Sequence, residues 1–274
     1  MNIDIRQISE LNDIKQIADL MQLIWNLSDR EVVSTLEMRA VSRFGILLGA
    51  FNDSEAIVGF IYALPVNNSR HYSHMMGVDP AYQGKGIGWE MKKRHRILAI
   101  DMGVKVIEWT VDPLLPNNSR LNFGKLGCKC NKYFENYYGS TDNNVGIYSG
   151  IPTDRFLVEW YLHDKNVISK MDKEFEQKFN LKENLFAEYP LLNKKLINDN
   201  LKILNHLDNY SKFTVEVPND FQKLKHTNIE LAKKWRVLFR KISRSLFSNG
   251  FTAIDFVIFN KNEKNQSNYF LFEK

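Results

Sequence analysis

The sequence predicts a mixed α/β fold: a central mixed sheet flanked by helices, with a smaller C-terminal α/β unit. Three observations carry this. Short apolar runs such as FGILLGAF and AIVGFIYALPV have the length of strands. Residues 10–26 and 86–102 repeat apolar positions at helical spacing. Over residues 1 to about 140 these segments follow the order β-α-α-β-β-β-α-β-α-β. That order is an antiparallel meander feeding one βαβ crossover.

Each element has its own signal. NIDIRQI, residues 2–8, alternates apolar and polar and predicts a strand. Leu11, Ile14, Ile17, Ala18, Met21, Leu23 and Ile24 mark the first helix, and a second spans 30–43. FGILLGAF and AIVGFIYALPV flank the turn residues NDSEA, as a hairpin does. HYSHMMGV is the next strand and ends at the loop DPAYQGKG. Ile87, Met91, His95, Leu98 and Met102 space a helix that Gly103 closes. VKVIEWTVDP is a strand. LPNNSRLNFGKLG predicts a short helix capped by Asn117 or Asn118 and ended by Gly127. CKCNKYFENYYG is another strand.

NNVGIYSG is turn-rich, and the DRFLVEWYL that follows is a strand. From about 163 to 210 the chain is rich in Lys and Asn and reads as helices and linker. KFTVEVP is a strand. Thr227 and Glu230 have the spacing of a capping box for a helix from 228 to 249, which Gly250 ends. FTAIDFVIF and NYFLFE form a hairpin around NKNEKNQS. We divide the chain at the composition shift, 1–150 and 151–274.

Composition narrows the function. The 274 residues are 44% hydrophobic and 12% aromatic, enough to build a core. With 37 basic and 32 acidic residues, the net charge of +5 suits an anionic small ligand as well as it suits nucleic acid. Asp4, Glu10 and Asp13 stand where a signal peptide would be basic and then apolar. No run approaches the roughly 18–20 apolar residues of a membrane span, so a soluble, cytoplasmic protein without membrane contact is expected. Cys128 and Cys130 lie two apart on a strand, about 6–7 Å between sites. That separation strains a disulfide, and no second Cys/His pair offers a metal site. The pair reads as packing residues.

The informative stretch is GVDPAYQGKGIGWEMKKRHRI, Gly77–Ile97, with glycines at 84, 86 and 88. Such glycines let backbone amides approach an anion, and a helix N-terminus adds unpaired N–H groups. The spacing is not that of a Walker loop. A dinucleotide fingerprint has an acid about 20 residues on, where Glu108 stands, but its glycine spacing differs. VDPAYQGKGIG resembles the acyl-CoA loop of the GNAT N-acetyltransferase superfamily, with Gln83, Gly86 and Gly88 at the defining positions of Q/R-x-x-G-x-G/A. FGKLGC, Phe123–Cys128, resembles that superfamily's Y-x-K-L-G-F. The order of elements matches over residues 1 to about 140. IEWTVDPL, NFGKLG and DRFLVEW also resemble a branch of predicted acetyltransferases with a C-terminal extension.

The resemblance implies a GNAT-like fold and an acyl-CoA co-substrate, acetyl-CoA first. The backbone N–H groups of Gln83, Gly84, Lys85, Gly86, Ile87 and Gly88 would hold the pyrophosphate. The strand Met75–Val78, through Met76 and Val78, would pair with pantetheine amides. Lys85 would add charge. Lys92, Lys93 and Arg94 either reach the 3′-phosphate or form a solvated helix face. Asn117 or Asn118 is the candidate for a cofactor-contacting Asn, and we take Asn118. Amine acylation needs a base and a proton for the departing thiolate. Glu108, His74 and Asp112 are the candidate bases. An apolar setting around Glu108 would raise its pKa, His74 titrates near neutrality unaided, and Asp112 alternatively serves a turn. Phe123 occupies the position where relatives often carry the acidic Tyr. Tyr133, Tyr137 or Tyr138 could replace it, and we single out Tyr138. No metal is implied.

The expected partner is a small-molecule amine acceptor such as an amino acid, with Arg155 placed either to hold its carboxylate or merely to form a salt bridge. A homodimer is an open alternative. The basic residues of 228–249, Lys233, Lys234, Arg236, Arg240, Lys241 and Arg244, read as a solvated face rather than a nucleic-acid stripe. The competing function is an inactive acyl-CoA-binding sensor.

Overall fold

The computed structural model describes residues 2–139, 150–172, 185–193, 198–260 and 266–274. The turn-rich reading of 143–149, parts of the Lys- and Asn-rich segment (173–184 and 194–197) and the turn at 261–265 lie outside these residues. The chain is mixed α/β, as expected. Grouped by its contacts it forms two compact units, and the division at 109/110 differs from the composition shift near 150. Among the described residues, 2–109 with 161–163 form the first, and 110–139, 150–160 and those from 164 onward form the second.

In the first unit the order is β1 (Asp4–Gln7), α1 (Leu11–Trp25), α2 (Thr35–Val41), β2 (Ile46–Phe51), β3 (Ile57–Asn67), β4 (Arg70–Val78), α3 (Ile87–Asp101) and β5 (Val106–Val111), which continues past the unit boundary. The strands lie in the order β1-β2-β3-β4-β5. The first pairings are antiparallel, and β4 with β5 is parallel. The helical spacing of α1 works as read: Ile14, Ile17, Leu20 and Met21 are buried. They pack with Met38, Leu47, Phe51, Phe60 and Tyr62. Burial of each such aliphatic side chain contributes roughly 1.5–3 kcal/mol. The predicted second helix is shorter than 30–43. Gly103 follows α3 at φ +80, as a closing glycine does.

The second unit contains α4 (Pro116–Ser119), a π-helical turn (Arg120–Lys125), β6 (Lys129–Phe134), β7 (Arg155–Tyr161), α5 (Lys165–Met171), α6 (Leu185–Glu188), β8 (Lys212–Val217), α7 (Phe221–Thr227), α8 (Ile229–Ser248), β9 (Thr252–Asn260) and β10 (Gln266–Glu273). Its strand order is β7-β6-β9-β10-β8. The hairpin of β9 and β10 is present as predicted.

Three local expectations are corrected. Asn117 and Asn118 do not cap α4. They sit inside it and are exposed, and Pro116 starts the helix because its φ is already helical. Thr227 does not cap α8. It ends α7 with its hydroxyl on Lys223 O, and Asn228 caps α8 by accepting from Leu231 N at 3.0 Å. The basic positions of α8 are not all solvated. Arg236 is buried on Asp112 at 2.6 Å, and Arg240 holds the buried Asp154 at 2.6 Å.

Cys128 and Cys130 are buried free thiols. Among the described residues, no helix is long and apolar enough to cross a membrane. Among the same residues, no cluster of His, Cys, Asp or Glu is arranged for a metal ion.

Candidate active site

The glycine loop is built from both ends. After β4, Asp79 N–H donates to Val58 O at 2.9 Å, and its carboxylate accepts from Ala81 N at 2.8 Å. This starts a short 3₁₀ turn, Pro80–Tyr82. The Gln83 side chain donates back to Val78 O at 3.0 Å and ties the turn to the strand end. Gly84 and Gly86 have φ of +76 and +83, a region costly for other residues. Gly86 then caps α3, its carbonyl accepting from Trp89 N and Glu90 N. Gly88 has a different reason: a Cβ there would stand 3.0 Å from Met76 Cε, so it lets α3 approach β4.

The amides of Gly84, Lys85, Gly86, Ile87 and Gly88 donate to no protein acceptor among the described residues. The space a Cβ would occupy at Gly84 and Gly86 is open. Turned amides in front of a helix N-terminus are a cradle for an anion, so this chain's residues fit a diphosphate. Two expectations change. Gln83 N–H is turned to Pro80 O at 3.4 Å, because the 3₁₀ turn claims it. Lys85 Nζ folds back onto Ala81 O at 3.0 Å and over the Tyr82 ring, so its charge covers the turn.

The α3 cations do not form one solvated face. Lys92 is 2% exposed, with Nζ 3.2 Å from Ser73 Oγ and 3.8 Å from the Trp109 ring centroid. It falls on the helix stripe that faces the sheet, beside Met91 and His95. Lys93 pairs with Glu90 at 2.7 Å, and Arg94 is exposed.

Among the described residues, strand β4 has no pairing with β5 on the stretch beside this loop. Its pairing with β5 runs Arg70↔Val106, His71↔Ile107 and Tyr72↔Glu108. Ser73–Val78, including Met76 and Val78, lie beyond that pairing and continue to the loop. On the other edge the β3 register skips: Tyr62 faces Met75 and Ala63 faces Ser73. His74 is therefore the extra residue of a β-bulge, which re-aims a side chain out of the ladder.

The His74 ring meets the Tyr62 ring at 5.8 Å and the Tyr72 ring at 6.1 Å. Tyr62 is fully buried, and its hydroxyl donates to Glu37 Oε1 at 3.0 Å. Partial burial lowers the His74 pKa from the ordinary imidazole value, and the charge of Glu37 opposes that shift. Glu108 is not in an apolar setting: Arg70 Nη1 stands 2.5 Å from its Oε2.

The remaining candidates belong to the second unit. Asp112 Oδ2 accepts from Arg236 at 2.6 Å, with Arg155 at 3.7 Å, and Oδ1 accepts from Leu114 N at 3.0 Å. Burial would raise its pKa, but Arg236 and then Arg155 outweigh that and hold it lowered. The turn role weighed for Asp112 is thus present. Arg155 lies against this carboxylate and 5.0 Å over the Tyr138 ring. Tyr138 is exposed, its hydroxyl 3.4 Å from Thr110 Oγ1. Asn118 is exposed on α4. Tyr133 donates to Asp154 at 2.6 Å. Phe123 is fully buried, edge-on to Phe270 at 5.1 Å and Phe156 at 6.3 Å.

Glu37, Tyr62, Tyr72 and Arg70, the side chains that meet these candidates or their neighbours, were not marked in the sequence. Tyr62 lies in an apolar run and Glu37 on an ordinary amphipathic turn, so no local signal marks them.

Residues 14–127 match the model of the Acetyltransferase (GNAT) family. None of the curated proteins compared with the chain matches it. Among solved structures, the chain is similar to the ribosomal-protein-S18-alanine N-acetyltransferase of Escherichia coli, at 16% identity and TM-score 0.47, covering 59% of this chain and 94% of that one. It is similar to the PaiA N-acetyltransferase of Thermoplasma acidophilum in complex with coenzyme A, at 19% identity and TM-score 0.45, covering 59% and 99%. It is also similar to a GNAT family acetyltransferase of Elizabethkingia anophelis with acetyl-CoA bound, at 20% identity and TM-score 0.46, covering 58% and 98%. Residues 14–127 thus carry the match to a GNAT acetyltransferase domain, and it is this segment that makes the chain similar to that family.

Proposed function

We propose that this chain transfers a short acyl group, acetyl first, from CoA to a primary amine of a small molecule such as an amino acid. The observation that carries the reading is the row of undonated amides from Gly84 to Gly88 in front of α3. Those amides would hold the diphosphate. The β4 edge at Met76 and Val78 would pair with the pantetheine amides. On this reading the thioester would lie along β4, toward the bulge at His74.

The acceptor arrives as an ammonium ion and must lose a proton before it attacks. His74 is the base we favour, because its lowered pKa leaves it neutral at pH 7. Glu108 is the second candidate, with one oxygen already on Arg70. Asp112 would have to release Arg236 to serve. In the transfer, the amine nitrogen bonds to the acyl carbon as the C–S bond breaks. The sulfur leaves with the bonding pair and takes up the second amine proton.

Calorimetry with acetyl-CoA tests the site. We expect binding by the wild type and none by Gly86→Glu, which sets a carboxylate where the diphosphate would lie. Equal affinity of the two proteins would refute the assignment. Thiol release across a panel of amines and amino acids tests the transfer. A second reading, an acyl-CoA-binding sensor, draws on Phe123, which carries no proton at the position of the usual Tyr and is sealed in an aromatic core. Binding without thiol release on any amine would favour it.

A further inference from the structure

We infer that Glu37, fixed by the Tyr62 hydroxyl, is a positioning residue that supports His74 in removing the proton of the acceptor amine. This rests on the acyl-transfer reading of the same site.

The argument begins with the bulge. His74 has no partner in β3, so its ring is oriented by side chains rather than by the ladder. Tyr62 and Tyr72 are those side chains. Tyr62 in turn is fully buried, and a buried phenol must place its proton on an acceptor. Glu37 is that acceptor, at 3.0 Å, reaching down from α2. The hydrogen bond therefore sets two things at once. It fixes the tyrosine ring against which the imidazole rests, and it fixes the Glu37 carboxylate at that ring's hydroxyl.

The charges around His74 single out Glu37. Strand β3 carries no charged residue between Ile57 and Asn67. On β4 and β5, Arg70 and Glu108 are spent on each other. The side chains that α1 lays over this part of β4 are Ile24 and Trp25, which stand at Gly77. Among the described residues, Glu37 is the carboxylate whose charge opposes the lowering of the imidazole pKa. When His74 takes a proton from the ammonium ion, an imidazolium forms, and a nearby fixed anion stabilises it. The proton then passes to water, and the imidazole is regenerated, while the thiolate takes the second amine proton. Glu37 does not touch the reacting atoms in this scheme.

The test is a histidine NMR titration of the full chain labelled at imidazole carbon, with His74→Gln identifying the signal. We expect the His74 midpoint to move to lower pH in Glu37→Gln and in Tyr62→Phe, and to recover in Glu37→Asp. Glu37 is exposed, so Glu37→Gln should fold whatever happens to the tyrosine variant. An unmoved midpoint in folded Glu37→Gln overturns the inference, with no turnover needed. Absence of acetyl-CoA binding by the wild type would instead overturn the acyl-transfer reading, so the two failures are separate. On an amine that turns over, the acid limb of kcat/KM should shift down in Glu37→Gln, with a loss on the order of tenfold at pH 6–7 against the roughly 10²–10⁴ that general-base catalysis supplies. A rate loss with no shift of that limb would assign Glu37 a merely structural role.

Discussion

Single residues decide what the loop and its neighbours can do. Gly86 sits at φ +83 with open space ahead of it. Gly86→Ala should cost about 1–2 kcal/mol of stability from backbone strain alone, read by urea unfolding. Lys92 is the sharpest change from the sequence reading, because its stem and ammonium lie on Trp109 and Ser73. Lys92→Met keeps the stem and removes the buried charge. Stability should stay within about 1 kcal/mol of wild type or rise, since buried charges are costly to desolvate. Acetyl-CoA affinity should be unchanged; a tenfold or greater loss would show that Lys92 reaches a phosphate after all. Phe123 makes a matching case. Restoring the family tyrosine with Phe123→Tyr places a hydroxyl among Phe156 and Phe270, and leaving it unsatisfied costs about 1–3 kcal/mol. Phe123→Ala should cost about 3–5 kcal/mol through the cavity. Denaturant melts of the two variants check both values.

At the scale of elements, periodicity located the helices and strands, and local chemistry set their ends less reliably. For α8 the sequence offers Thr227 and Asn228 side by side, and only the geometry of the junction with α7 selects Asn228. Asn228→Ala should lose about 1 kcal/mol. Thr227→Ala should stay within about 0.5 kcal/mol. Equal losses, measured by thermal unfolding, would mean the cap is shared. Strand β4 shows the opposite limit. Nothing in HYSHMMGV announces a bulge, because a strand pattern has no marker for the residue its partner will skip. The bulge takes His74 out of the ladder, which is why the proposed function favours it as the base.

Across the molecule, buried histidines couple the fold to pH. His95 is fully buried, with neither ring nitrogen meeting a partner among the described residues. Burial, then Lys92 and His71, hold its pKa well below 6.5. Burial lowers His71 as well, and His74 is lowered in the same direction. A histidine lowered in the folded state binds its proton more readily when unfolded. Its contribution is therefore present above the ordinary value of 6.5 and is lost as pH falls toward the folded value. Unfolding free energy should be level from pH 8 to 7 and fall steadily below about 6.5, and His95→Gln should reduce the slope in a urea series. Asp112 and Asp154 are lowered too, and their contribution fades only below the ordinary 3.8.

The amino-acid sequence by itself determined the class of fold, the order of elements over the first 140 residues or so, and the loop that marks the chain as a relative of acyl-CoA enzymes. These are local properties: apolar spacing, turn residues, and glycines whose placement relative to Gln83 is itself the signal. Tertiary structure alone decided which groups meet. Tyr62 finds Glu37 across 25 positions, and Arg236 finds Asp112 across 124. It turned Glu108 onto Arg70, Gln83 into the turn, and Lys92 into the interior. The physical reason is that a buried polar group must be satisfied by whatever packing brings beside it, and that neighbour is set by how elements stack rather than by the spacing of residues along the chain.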